Sequence, residues 1–125
     1  MKYLSKALIA FVAVEHLFIL WIEIFAWQTV GSSVFSVFSA DFFSLTTSMA
    51  ANQGLYNGFL AAGLIWAFII KNRKWSFNIS CFFLICVLIA GIFGAFTIQN
   101  KIFFTQGIPA LISLIVLFIA RKPAE

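Results

Sequence analysis

Four long apolar stretches, separated by short polar interruptions, dominate the pattern of this chain: Ala7–Trp27, Gly54–Ile70, Phe77–Ile98 and Ile102–Ala120. Each is close to the ~20 residues with which an α-helix crosses ~30 Å of hydrocarbon. The alternation of a β-barrel strand is absent, and a backbone surrounded by lipid must satisfy its own polar groups, so the stretches predict helices. The expected fold is therefore all-α: one integral membrane domain over residues 1–125, a four-helix bundle. The first stretch follows Lys2 and Lys6 as a secretory signal would. It is too long for one, holds Glu15, His16 and Glu23, and is followed by no small-residue cleavage site, so it reads as retained.

Composition agrees. Of 125 residues, 63% are hydrophobic and 10% charged, whereas a soluble domain carries about 25% charged residues to cover its surface. The net charge of +4 does not point to nucleic acid, because of where the charges fall. Seven of the eight basic residues form three clusters at the ends of apolar stretches: Lys2 with Lys6, Lys71 with Arg73 and Lys74, and Arg121 with Lys122. An N-terminus in the cytoplasm puts all three clusters there and leaves Lys101 alone outside, which predicts cytoplasmic termini and a multi-pass protein of the cell membrane.

The connection 28–53 is long, rich in Ser, Thr and Phe, and holds one acid, Asp41, and no base. Phe35, Phe38, Phe42, Leu45 and Met49 recur at spacings of three and four. That periodicity predicts a short amphipathic helix on the outer membrane surface or capping the bundle. A loop without order is the alternative.

Polar residues inside the spans carry the functional signal. On an insertion scale a central charged Glu costs about 2.5–3.5 kcal/mol, so Glu15 and Glu23 roughly cancel the apolar gain of the first span, which then needs neighbours. Ionisable groups at such depth usually face a partner or a water-filled cavity. His16, Leu20, Glu23 and Trp27 share one helical face, and Glu15 stands about 80–100° from it. His16 and Glu23, two turns apart, are separated by about 10.5 Å along the axis and line one cavity rather than touch. The second span opens with Asn52, Gln53, Tyr56 and Asn57, at a depth comparable with Glu23; Thr97, Gln99 and Asn100 close the third, and Thr105 and Gln106 begin the fourth. Four helices thus place polar groups in the outer half, while the inner half is almost wholly aliphatic and aromatic. The candidate ligand-binding residues are Glu15, His16, Glu23, Asn52, Gln53, Tyr56, Asn57 and Gln106, with Glu15, His16 and Glu23 also the candidates for catalysis. The competing reading is interhelical polar glue, worth ~0.6 kcal/mol per hydrogen bond.

Small residues at four-residue spacing, Gly54–Gly58–Ala62, Ala90–Gly94 and Gly91–Ala95, predict close helix contacts. Pro109 falls inside the fourth helix, where it frees the Thr105 carbonyl and predicts a kink beside Gln106 and Gly107. Cys81 and Cys86 lie on nearly opposite sides of one helix and read as packing residues. Trp27 and Trp75 flank opposite ends of spans, as interfacial aromatics do.

Several stretches resemble a known family: Glu15-His16 with Glu23-Ile24-Phe25-Ala26-Trp27, then Asn52-Gln53-Gly54-Leu55-Tyr56-Asn57-Gly58-Phe59-Leu60-Ala61-Ala62-Gly63, Ala90-Gly91-Ile92-Phe93-Gly94-Ala95, and Gln106-Gly107-Ile108-Pro109-Ala110. They are similar to the small four-span bacterial membrane proteins catalogued as domain of unknown function 1304. The resemblance covers essentially the whole chain. It implies the four-helix architecture and a bacterial inner membrane, and it brings no reaction or catalytic residue with it.

Three functional readings follow. In the first, the outer cavity binds or transports a small polar or cationic solute, with Glu15 and Glu23 supplying charge and Tyr56, Asn57 and Gln106 direction; transport through only four helices calls for a homodimer. In the second, His16 and the carboxylates perform acid–base chemistry on a lipid or isoprenoid-like substrate. In the third, the protein is a structural or interaction module and its polar residues are glue. The spacing on the first helix cannot bring one His and two Glu to a single metal ion, so neither metal nor cofactor is expected. Apart from membrane lipids and the unidentified ligand, no partner is indicated, and nucleotide or nucleic-acid motifs are absent.

Overall fold

Helix α1 (Lys2–Phe25) runs unbroken through the first apolar stretch, which contains neither glycine nor proline. In the computed structural model, which describes residues 2–121, it is followed by a wide π-turn (Trp27–Gly31), two short helices, α2 (Ser32–Val34) and α3 (Ala40–Leu45), and the long α4 (Thr47–Ile69). Helix α5 spans Arg73–Thr97, and a second π-turn (Phe103–Gly107) leads into α6 (Ile108–Ala120). The structure is all-helical among the described residues.

The turns are explained locally. Asn72 caps α5 by accepting a hydrogen bond from the Trp75 N–H at 3.1 Å. The Ser76 hydroxyl donates to the Ala67 carbonyl at 2.7 Å, clasping the end of α4 to the start of α5. Pro109 lies inside a helical run that is continuous over residues 101–120, as the sequence predicts, so its missing N–H leaves a gap in the ladder. The widened turn just before it, in which the Ile108 N–H reaches back to the Phe103 carbonyl, is where the chain accommodates the proline.

Helix α1 packs on α4 and α6, and α5 packs on α4 and α6. One cleft is lined by Lys6, Ile70, Lys74 and Arg121, so the start of α1, the end of α4, the start of α5 and the end of α6 gather at one pole. At the other pole the Gln99 side chain reaches the Val34 carbonyl at 3.5 Å, joining the end of α5 to the α1–α4 connection. An apolar core between the poles takes Ile9, Val12 and Ala13 from α1, Leu64 from α4, Leu84 and Val87 from α5, and Ala110 and Leu114 from α6.

Glycines set the closest crossings. A Cβ on Gly91 would lie 2.7 Å from the Gly107 nitrogen, so the α5 backbone rests directly on the second π-turn. The Phe83 ring of α5 lies against Gly63 of α4. Of the small residues expected at contacts, Ala62 and Ala90 point outward instead. Cys81 and Cys86 are free and half-buried.

The connection after α1 is an aromatic cap rather than one amphipathic helix. The break at Phe35–Ser39 resets the helical phase, so the periodic stripe does not survive as one face. Phe35 and Phe42 turn inward against Trp27, with ring centroids 5.4 and 6.3 Å from it, whereas Leu45 and Met49 are exposed. Phe43, which lies outside the stripe, is the buried residue of α3 and sits 5.0 Å from Trp27.

Three helices among the described residues are long and apolar enough to cross a membrane: Tyr3–Phe25, Arg73–Thr97 and Phe103–Ala120. Their outward surfaces carry large apolar side chains such as Phe11, Phe18, Phe82, Phe93 and Ile119. Contiguous apolar exposure of this kind is characteristic of a membrane protein. Helix α4 has 23 residues but is not among the three, and its first half carries Asn52, Gln53 and Asn57.

Candidate functional site

The face of α1 bearing His16, Leu20 and Glu23 packs on α4, and glycines make the contact close. A Cβ on Gly54 would lie 3.0 Å from the Glu23 Cβ and 3.2 Å from the Leu20 carbonyl oxygen, and one on Gly58 would meet the Leu20 side chain. Gly54, Asn57, Gly58 and Ala61 follow the i, i+3, i+4, i+7 rhythm of one helical face. The phase that seats the glycines on α1 therefore also turns Asn57 inward.

There it meets Glu23. The Asn57 Nδ2 donates to Glu23 Oε2 at 2.8 Å and also to the Gln53 carbonyl at 3.2 Å. Glu23 is 9% exposed. The bond is short, but it engages only one of the two carboxyl oxygens.

His16, two turns from Glu23, is fully buried. Its Nδ1 donates to the Val12 carbonyl at 2.8 Å, and its Nε2 is buried without a partner among the described residues. Glu15 is half-buried, and its Oε2 is likewise enclosed and unpaired. His16 stands one turn beyond Val12, and Gln106 one turn before Ala110, so both border the apolar core on the same side. Gln106 is half-buried, its backbone resting near Gly91.

The structure thus joins Glu23 to Asn57 directly. Asn52, Gln53 and Tyr56 lie on the exposed side of α4, and Gln53 contributes to the pair only through its carbonyl. Among the described residues no three His, Cys, Asp or Glu side chains gather as a metal site. Three buried serines escaped the sequence reading, Ser5, Ser80 and Ser113; the Ser113 hydroxyl donates to the Pro109 carbonyl at 2.7 Å, whereas the Ser80 Oγ is enclosed and unpaired among the described residues. For Ser80 the signal was a serine within the apolar Phe77–Ile98 stretch.

An unsatisfied buried polar atom costs about 1–3 kcal/mol. Leucine is close to histidine in volume, and the Val12 carbonyl keeps its helical partner when the ring is removed. His16→Leu is accordingly expected to raise the stability of the purified protein by about 1–2 kcal/mol. Thermal unfolding in a neutral detergent checks this, and a loss of stability would mean that Nε2 has a partner after all.

Residues 10–118 match the family described as Protein of unknown function (DUF1304). A relative from Lactococcus lactis subsp. lactis (strain IL1403), carried under the name Uncharacterized protein YpaA, is 32% identical over 120 residues, covering 94% of this chain and 99% of that protein. No solved structure gives a significant match.

Proposed function

The chain belongs to the DUF1304 family of proteins of unknown function, and from that premise we propose that it is a four-span protein of a bacterial inner membrane, holding a small polar or cationic solute in the outer half of its bundle. In this reading α4 crosses the membrane with the other three helices, both termini are cytoplasmic, and the Glu23–Asn57 pair lies toward the outer side. The gathering of Lys6, Lys71, Arg73, Lys74 and Arg121 at one pole, with Lys101 at the other, supports that orientation.

One observation carries the solute site. Polar groups that serve only to hold helices together bond to one another, whereas Glu15 and His16 each keep a buried polar atom without a partner among the described residues, on the same helix as a carboxylate anchored through one oxygen. Leaving such groups unpaired in a low-dielectric interior is costly, which favours an occupant that pairs with them. Glu23 supplies the charge for a cation, Asn57 fixes the carboxylate rotamer, and Glu15 and His16 supply further contacts.

The test is thermal unfolding against a panel of alkali cations, ammonium, guanidinium and short polyamines. A cation at about 100 times its Kd stabilises the folded state by about 2.7 kcal/mol, which for a domain of this size raises Tm by several degrees. The reading expects such a rise for at least one member of the panel, lost in Glu23→Gln and reduced in Asn57→Ala. It is overturned if nothing in the panel shifts the wild type while Glu15→Gln and Glu23→Gln unfold at the wild-type temperature.

A further inference from the structure

The pole opposite the Glu23–Asn57 pair holds a second feature, independent of the solute site. A cleft of about 950 Å³ opens where α1 begins, α4 ends, α5 begins and α6 ends. Five cationic side chains line it: Lys6, Lys71, Arg73, Lys74 and Arg121. They come from three separate stretches of the chain, around residues 6, 71–74 and 121, so the fold joins the central basic run to cations distant from it in sequence. Among the described residues no carboxylate lines the cleft.

Two of the cations are placed by aromatic rings. The Arg121 guanidinium lies 4.6 Å from the centroid of Phe77, and the Lys6 ammonium 5.4 Å from that of Phe68. Such contacts fix a charge over an apolar wall without neutralising it. Deeper in the cleft stands Ser80, 1% exposed, whose Oγ has no partner among the described residues. On the outer surface of α4, Phe68 and Ile69 continue the cleft as exposed apolar side chains.

Cations at the mouth, a waiting hydroxyl within and an apolar way out fit one kind of occupant. We propose that this cleft binds the phosphate headgroup of an anionic phospholipid, with its acyl chains running out along Phe68 and Ile69. Basic pockets between membrane helices recognise lipid phosphates in this manner, and Arg presents the paired donors that phosphate oxygens accept. The Ser80 hydroxyl donates to a phosphate oxygen and so gains the partner it lacks.

The experiment is native mass spectrometry of the full chain in neutral detergent, offered phosphatidylglycerol and phosphatidylcholine of identical acyl chains in equal amounts. The expected result is a preference for phosphatidylglycerol of roughly tenfold or more, falling to parity when Lys6→Gln, Arg73→Gln and Arg121→Gln are combined and unchanged in Lys101→Gln. Parity in the wild type, or a preference that survives the triple variant, overturns the proposal. A parallel arm adds inorganic phosphate: if it displaces the lipid at equal concentration, the site is one for free phosphate and the lipid assignment fails. The wild type alone gives a second readout, since screening by salt raised from ~50 to ~500 mM should erode the preference; a preference indifferent to salt also overturns it.

Discussion

Replacing Trp27 with alanine is expected to destabilise the protein by about 3–5 kcal/mol, the range for removing a large buried aromatic side chain. Trp27 is 9% exposed and holds the cap together. Its ring packs against Phe35, Phe42 and Phe43, its indole N–H donates to the Thr46 hydroxyl at 3.0 Å, and it folds down over Gly31. Removing it leaves a void among rings that have no other partner of that size, and it breaks the tie between the end of α1 and the start of α4. The loss should be local first. Limited proteolysis is expected to cut between Gln28 and Thr46 in the variant under conditions that leave the wild type whole, and Tm should fall by more than ten degrees. Trp75, exposed at the opposite pole, provides the control: Trp75→Ala should leave both measurements near wild type.

The second large effect is expected at Gly91. Alanine there would place a methyl carbon 2.7 Å from the Gly107 nitrogen and 2.8 Å from its Cα. A flexible side chain could move aside, but these are backbone atoms of the π-turn, so α5 and α6 must separate. Overpacking typically costs 1–3 kcal/mol and more when backbone has to shift; the upper part of that range, about 3 kcal/mol, is expected for Gly91→Ala. Gly94 is the informative comparison. A Cβ there meets the Ile102 side chain at 2.9 Å, which has rotamers to use, so Gly94→Ala should cost clearly less. Equal losses at the two positions would show that backbone contact is not what distinguishes them.

Much of the fold was legible in the sequence, because hydrophobic runs and charge clusters depend on composition over many residues. Long helices form through the runs, and the cations of Lys6, Lys71–Lys74 and Arg121 gather where the runs end. The connection after α1 was not legible in the same way. Helical spacing from Phe35 to Met49 carries meaning only while one helix continues, and the break at Phe35–Ser39 ends that register. Trp27 looked like an interfacial anchor because an aromatic residue at the end of a span looks the same whether it faces headgroups or a cap.

The site was partly readable for a similar reason. The face of His16, Leu20 and Glu23 follows from helix geometry alone. Which amide of α4 would meet it does not, since Asn52, Gln53, Tyr56 and Asn57 spread over about 140° of one side of the helix and nothing in their spacing says which edge faces α1. The glycines decide: Gly54 and Gly58 must face α1, and only Asn57 shares their side. Gln106 could not be placed beforehand, because the π-turn before Pro109 shifts the helical phase by a residue at that point.

The central claim is that Glu23 and its neighbours are held for a ligand and not merely for one another. An experimental density map of the protein in lipid nanodiscs, at a resolution that shows ordered solvent, tests this most directly. The account predicts water or a bound solute within hydrogen-bonding distance of Glu23 Oε1, in a space reached by His16 or Glu15. Density in which α1 and α4 close over Glu23, leaving Asn57 as its sole polar neighbour and acyl chains against the rest, would contradict it.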